Sequence, residues 1–186
     1  MDRRAHIKKL MALGAASALP AALWAGTERS EEAAVKSERA FGYKRSVSHW
    51  TVDDLDWDDL CGWLVQEGVE AVDLVGPENW HHLKKHGLDS SMCNGAELNL
   101  VDGFIHEEFE GVLHERYRAM IPRVAKAGYK NLICFSGNRR GLSEEEGLEQ
   151  AVKALQPMVA LAEEHGVVLQ MELFNSLVDN PDYMED

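Results

Sequence analysis

Five short apolar runs, at residues 44–50, 70–75, 89–93, 131–136 and 167–174, constrain this chain more than any other feature. Three of the four gaps between them carry apolar residues at helical period, and alternation of that kind is the signature of βαβ units on a parallel sheet. The fourth run, Asn-Leu-Ile-Cys-Phe-Ser, and the fifth, Val-Val-Leu-Gln-Met-Glu-Leu-Phe, are nearly continuous apolar stretches. Strands covered on both faces read that way.

The intervening helices have signals of their own. In the first, Trp57, Leu60, Cys61, Leu64 and Val65 recur at i, i+3, i+4, i+7 and i+8, with Gly68 as terminator. Only about two turns, from Asn79 to His86, fit the second gap. The third helix places Phe109, Val112, Leu113, Tyr117, Met120 and Val124 on one face, and Pro122 predicts a kink or local break. For the fourth, Ser143 and Glu146 make a capping box, Leu148, Ala151, Val152, Leu155, Val159 and Ala162 make the expected buried stripe, and Gly166 ends the helix. Five parallel strands of this kind build either a doubly wound α/β sheet or the first five βα units of a (β/α)8 TIM barrel.

Residues 1–25 differ sharply from the rest. Arg3, Arg4, Lys8 and Lys9 precede an uncharged, alanine-rich stretch from Leu10 to Ala25, the layout of a cleaved secretory leader. The paired arginines followed by Ile7 and Lys8 match a twin-arginine signal, which implies export by that route to an extracytoplasmic space. Some 16 apolar residues containing Gly14 and Pro20 are too few for a stable membrane span. Residues 26–40 read as a polar linker, and the folded domain is expected over 41–186.

The chain carries a formal charge of -13, and the leader is basic, so the domain itself is more acidic still. Such a surface excludes a nucleic-acid partner, because a phosphate backbone needs cations. Cys61, Cys93 and Cys134 form neither a disulfide framework nor a CxxC metal motif, and two of them fall on apolar elements, as small core residues do. No G-x-G-x-x-G, P-loop or G-x-S-x-G motif occurs.

In a parallel α/β architecture, chemistry sits at the carboxyl ends of the strands. The polar residues there are His49 and Trp50, Asp73 and Glu78, Asn94, the loop Ser136-Gly137-Asn138-Arg139-Arg140, and Glu172 with Asn175. Glu172 interrupts an apolar run, where a buried carboxylate needs a cation, a hydrogen-bond network or a proton; a strand glutamate facing helix or solvent is the competing reading. Arg139 and Arg140 are placed to hold an anion bidentately or to serve as surface charge. The cluster His81, His82 and His86 lies on a short polar helix with no adjacent Cys or Asp in sequence, so a solvated face is expected there instead of a metal site.

Four strings carry a family resemblance: Ser-Val-Ser-His-Trp (46–50), Val-Asp-Leu-Val-Gly-Pro-Glu-Asn-Trp (72–80), Leu-Ile-Cys-Phe-Ser-Gly-Asn-Arg (132–139) and Met-Glu-Leu-Phe-Asn-Ser (171–176). In order and spacing they resemble the hydroxypyruvate isomerase branch of the xylose-isomerase-like TIM barrels. The resemblance implies a partial (β/α)8 barrel of about five units and an aldose-ketose type isomerisation, hydroxypyruvate to tartronate semialdehyde, through an enediolate. It further implies that Glu172 is a catalytic proton shuttle and a ligand to a divalent metal, Mg²⁺ or Mn²⁺. Arg139 and Asn138 would line the substrate pocket, His49 would sit at its floor, and Asn175 is grouped with them as a substrate-binding residue. The family's later metal ligands and second glutamate come from strands six to eight and have no counterpart in these residues. Two other readings stay open: a non-catalytic binding or assembly partner, including a homo-oligomer, and a self-contained doubly wound domain.

Overall fold

The computed structural model describes residues 43–175 and 180–184. Five strands and four helices alternate: β1 (Ser46–Ser48), α1 (Trp57–Gln66), β2 (Ala71–Val75), α2 (Trp80–His86), β3 (Asp89–Cys93), α3 (Glu107–Ala127), β4 (Asn131–Cys134), α4 (Glu144–His165) and β5 (Val168–Met171), with a 3-10 turn, His49–Thr51, directly after β1. All five expected strands are present, each inside its apolar run. The leader, the linker and the first two residues expected for the domain lie outside the described residues. Among the described residues no helix is long and apolar enough to cross a membrane.

The sheet runs β1-β2-β3-β4-β5, every neighbouring pair parallel. A doubly wound sheet reverses its strand order at a switch point, and the described strands never do, so the architecture is a partial (β/α)8 barrel of four βα units and a fifth strand. Side chains alternate across each strand. Val47, Val72, Leu132, Cys134, Leu169 and Met171 belong to the layer beneath the helices, which also holds Leu60, Leu64, Leu113, Tyr117 and Ile121. The opposite, concave face holds Ile133, Phe135 and Tyr183, with Leu74, Met92 and Phe174 packed on them. By the same alternation Ser48, Asp73 and Glu172 look into the concave side.

Helix ends follow the local chemistry. Asp56 caps α1 by accepting from the amides of Asp58 and Asp59, at 2.9 and 3.2 Å. Ser143 and Glu146 form the reciprocal box at the start of α4, with the Ser143 amide 2.9 Å from the Glu146 carboxylate. Replacing Ser143 by alanine removes one half of that box. We expect a loss of about 1 kcal/mol, read as a lower urea midpoint with an unchanged slope.

Three sequence expectations are corrected. Helix α3 continues through Pro122 without a break, and Val112 is 40% exposed instead of facing the core. In α4 the side against the sheet is made by Gly147, Ala154, Met158 and Ala162, while Leu148, Val152 and Val159 are 55%, 59% and 39% exposed. The reason is helical phase: Gly147, Ala154, Met158 and Ala162 share one face at 100° per residue, and Leu148, Val152 and Val159 fall roughly a quarter turn away on the flank. The three cysteines are free and buried as expected, and burial pushes the thiols up to about 11, 11 and 12 for Cys61, Cys93 and Cys134.

Candidate functional site

The backbone of Glu172 continues the ladder just past β5, its amide donating to the Cys134 carbonyl at 3.0 Å. Glu172 lines a cavity of about 440 Å³ on the concave side, together with Trp50, Leu74, Leu100, Ile133, Phe135 and Phe174. Burial raises the proton affinity of Glu172 above the ordinary glutamate range, and the Asp73 charge raises it further. Asp73 is held in turn by the Ser48 hydroxyl, which donates to it at 2.8 Å. Leu74, next to Asp73 and on the cavity wall, has φ +58 at a shift in the β2–β3 register. Positive φ in a branched residue costs energy and clusters at sites where the chain must aim side chains, as it does here.

The cavity's rim is fixed by a residue that the sequence did not point to. Tyr183, 1% exposed, accepts from the Ser136 amide at 3.1 Å and donates to the Glu172 carbonyl at 3.1 Å, joining the ends of β4 and β5. Its ring meets Phe174 edge-on at 4.8 Å. The segment after β5 is anchored by a hydrogen bond from the Ser136 hydroxyl to the Met184 carbonyl and by an isolated bridge between Asn138 and Tyr183. On the other side residues 99–106 strap the end of β4, with Phe104 and Ile105 amides on the carbonyls of Phe135 and Ser136, both at 3.1 Å. Gly103 and Gly137 allow that crossing: a Cβ on Gly137 would lie 2.7 Å from the Gly103 nitrogen, and one on Gly103 would meet the Phe135 and Ser136 carbonyl oxygens.

The other residues expected at the site are placed as follows. His49 stacks on Trp57 with ring centroids 4.1 Å apart. Its Nε2 is buried without a hydrogen-bond partner, and burial lowers its proton affinity against the opposing pull of Asp53. Asn138 accepts on its carbonyl from His106 Nε2 at 2.7 Å. The Arg139 guanidinium pairs with Glu144 at 3.1 Å, and Arg140 pairs with Asp102 and, at 3.7 Å, with Glu108. Asn175 is exposed and its carbonyl accepts from the Asn180 amide at 3.1 Å. Of the residues expected at the strand ends, Glu172 and Trp50 border the cavity, and His49, Asn138, Arg139, Arg140 and Asn175 do not.

The histidine helix differs from its sequence reading in one respect. Asp58, brought over by α1, receives His82 Nδ1 and His86 Nε2 on one oxygen, each at 3.1 Å, and Lys85 on the other at 2.6 Å. These contacts, Lys85 first, hold the Asp58 carboxyl well below the ordinary carboxylate range. Among the described residues no group of three or more His, Cys, Asp or Glu is arranged to hold a metal ion. The divalent cation implied by the resemblance therefore does not fit these residues as they stand. Glu172 offers one carboxylate in an apolar cavity, against the six or so oxygen ligands a hard cation takes.

No protein-family model matches the sequence, and no curated protein matches it. Solved structures do match. An AP endonuclease of family 2 from Brucella melitensis superposes with a TM-score of 0.63 at 15% identity, over 76% of this chain and 59% of that one. A sugar phosphate isomerase/epimerase from Parabacteroides distasonis gives 0.57 at 13%, over 74% and 53%. The IOLI protein, solved with a zinc atom bound, gives 0.56 at 13%, over 69% and 51%. The chain thus spans a little over half the length of these structures, and at these identities the likeness establishes the fold alone: part of a TIM barrel.

Proposed function

We propose that this chain carries the acid–base portion of a sugar-isomerase-type site, with Glu172 as the group that moves the proton. The observation behind the reading is a single ionisable residue, Glu172, just past the carboxyl end of β5 on the wall of an otherwise apolar cavity on the concave face. A hydroxy-carbonyl compound in that cavity would present the hydrogen on the carbon next to its carbonyl. The ionised carboxyl takes that proton, leaving an enediolate; the hydroxyl proton passes to the former carbonyl oxygen, and the carboxyl returns its own proton to the neighbouring carbon, which completes the isomerisation. A carboxyl of raised proton affinity suits both halves, since it accepts more readily and still releases. The aromatic walls Trp50, Phe135 and Phe174 offer apolar surface against which the carbon skeleton would pack.

Hydroxypyruvate and tartronate semialdehyde are the specific pair supported by the sequence strings around Glu172. Any Mg²⁺ or Mn²⁺ in the reaction would need ligands beyond those described here, and the mechanism above uses none. The test is solvent exchange: hydroxypyruvate or a small ketose incubated with the chain in D₂O should gain deuterium at the carbon beside the carbonyl, followed by proton NMR. Absence of enzyme-dependent exchange for both substrates would leave the non-catalytic assembly reading in its place.

Export by the twin-arginine route is proposed from residues 1–25. Arg3→Lys together with Arg4→Lys, in a fusion of the leader to a reporter that is active only outside the cytoplasm, is expected to abolish reporter activity. Unchanged activity would count against this route.

A further inference from the structure

We infer that Asn94-Gly95, at the carboxyl end of β3, is a site of spontaneous deamidation, with the Glu97 carboxylate as the base that starts it. It is the one Asn-Gly pair in the sequence. Glycine suits this chemistry because it has no Cβ to obstruct the approach of its own amide nitrogen to the side chain before it. Asn94 directly follows the last residue of β3 and is half-buried, its amide donating to the Val75 carbonyl at 3.4 Å. Among the described residues nothing hydrogen-bonds its side-chain amide, so no such contact holds that group in place. Gly95 is exposed and has φ +104, which glycine adopts without strain. Its N–H donates to Glu97 Oε2 at 2.7 Å. A carboxylate thus touches the proton that must leave before the nitrogen can attack.

Glu97 takes the Gly95 amide proton while the nitrogen forms a bond to Cγ of Asn94. The bond from Cγ to Nδ2 then breaks, Nδ2 leaves as ammonia with the proton returned by Glu97, and a five-membered succinimide ring remains. Water adds to one of the two ring carbonyls. Opening at Cγ gives aspartate. Opening at the main-chain carbonyl gives isoaspartate, in which the backbone runs through the former side chain and is longer by one carbon. Water is consumed and ammonia released, with nothing oxidised or reduced. Asn99, on the same segment, is held differently. Its Oδ1 accepts from the amides of Val101 and Asp102 at 2.8 and 2.9 Å, its Nδ2 donates to Asp102 at 2.8 Å, and a leucine follows it. Those hydrogen bonds fix the side chain, and the next residue carries a Cβ.

The fold gives the change a consequence. Gly95 and Ala96 lead from β3 toward the 99–106 strap. A Cβ on Gly95 would come within 3.3 Å of Met120 Cε, and Ala96 is fully buried. An extra main-chain carbon in so close a fit pushes on the strap, and Leu100 of that strap lines the cavity. An aged chain therefore carries a new charge at the strand-end face and, where isoaspartate has formed, a displaced cavity wall, whatever the cavity binds.

Peptide mapping by mass spectrometry tests this on the full chain, kept folded near neutral pH and sampled over days, with isoaspartate scored by a protein-isoaspartate methyltransferase. Residue 94 is expected to convert while Asn99 does not. Glu97→Gln keeps an acceptor for the Gly95 N–H but loses the base, and should slow conversion about tenfold, a small share of what a positioned general base can supply. In urea strong enough to unfold both chains the two should convert at one rate, because the contact between Glu97 and Gly95 is gone. Retention of Asn94 to the same extent as Asn99 would overturn the site. A Glu97→Gln chain that converts at the unaltered rate when folded, or is slowed equally when unfolded, would overturn the part given to Glu97. The comparison of residues 94 and 99 uses the unaltered chain and depends on no variant folding.

Discussion

Glu172→Gln is expected to slow proton exchange on the substrate by about 100- to 10,000-fold, the span usual for removing a positioned acid–base group, without unfolding the chain. Glutamine keeps the shape and removes the ability to take a proton. The pH dependence separates this from a loss of structure. Because burial and Asp73 raise the proton affinity of Glu172, its reactive ionised form appears only above the ordinary glutamate range, and the acidic limb of the rate profile in the unaltered chain should lie there. The stability effect has the opposite sign. The folded chain holds that proton to higher pH than the unfolded one, so stability is undiminished below the unfolded value and falls as pH rises toward the folded value. At neutral pH the glutamine variant should therefore be at least as resistant to urea as the unaltered chain. Loss of exchange together with lower stability would assign Glu172 a structural role instead.

Gly103→Ala is expected to be the most damaging small substitution near the site, costing about 3 kcal/mol or more. The methyl group would overlap backbone, namely the carbonyl oxygens of Phe135 and Ser136, and backbone cannot swing aside as a flexible side chain can. Relief requires lifting the 99–106 strap, which also breaks the amide contacts of Phe104 and Ile105 with the end of β4. Leu100 lies on that strap and on the cavity wall, so affinity for any occupant should fall along with stability. Gly111→Ala offers the contrast, because a Cβ there meets nothing and adds helix propensity in α3. A Gly103→Ala urea midpoint within error of the unaltered chain would refute the steric account.

Strands could be read from the sequence because a covered strand leaves a continuous apolar run, as Asn131–Cys134 does. Glu172 was visible for the converse reason, as a charge set in such a run. What escaped depended on residues distant in the chain. Arg139 and Arg140 read as plain surface charge ahead of anion holders, and sequence alone does not show that Glu144, Asp102 and Glu108 take them. Asp58 and the α2 histidines lie 24 and 28 residues apart, and only the packing of α1 on α2 makes them partners. Tyr183 has nothing distinctive beside it in sequence, and its role comes from where the chain returns after β5. The stripe on α4 misled because apolar size was taken to mark the sheet side. The buried side is instead Gly147, Ala154, Met158 and Ala162, of mixed size, and Leu148 and Val152 stand on the flank.

The strand order has a consequence for folding. Each strand pairs with the one before it in the chain, and no strand is inserted between two made earlier, so every pairing can close as soon as its second strand is available.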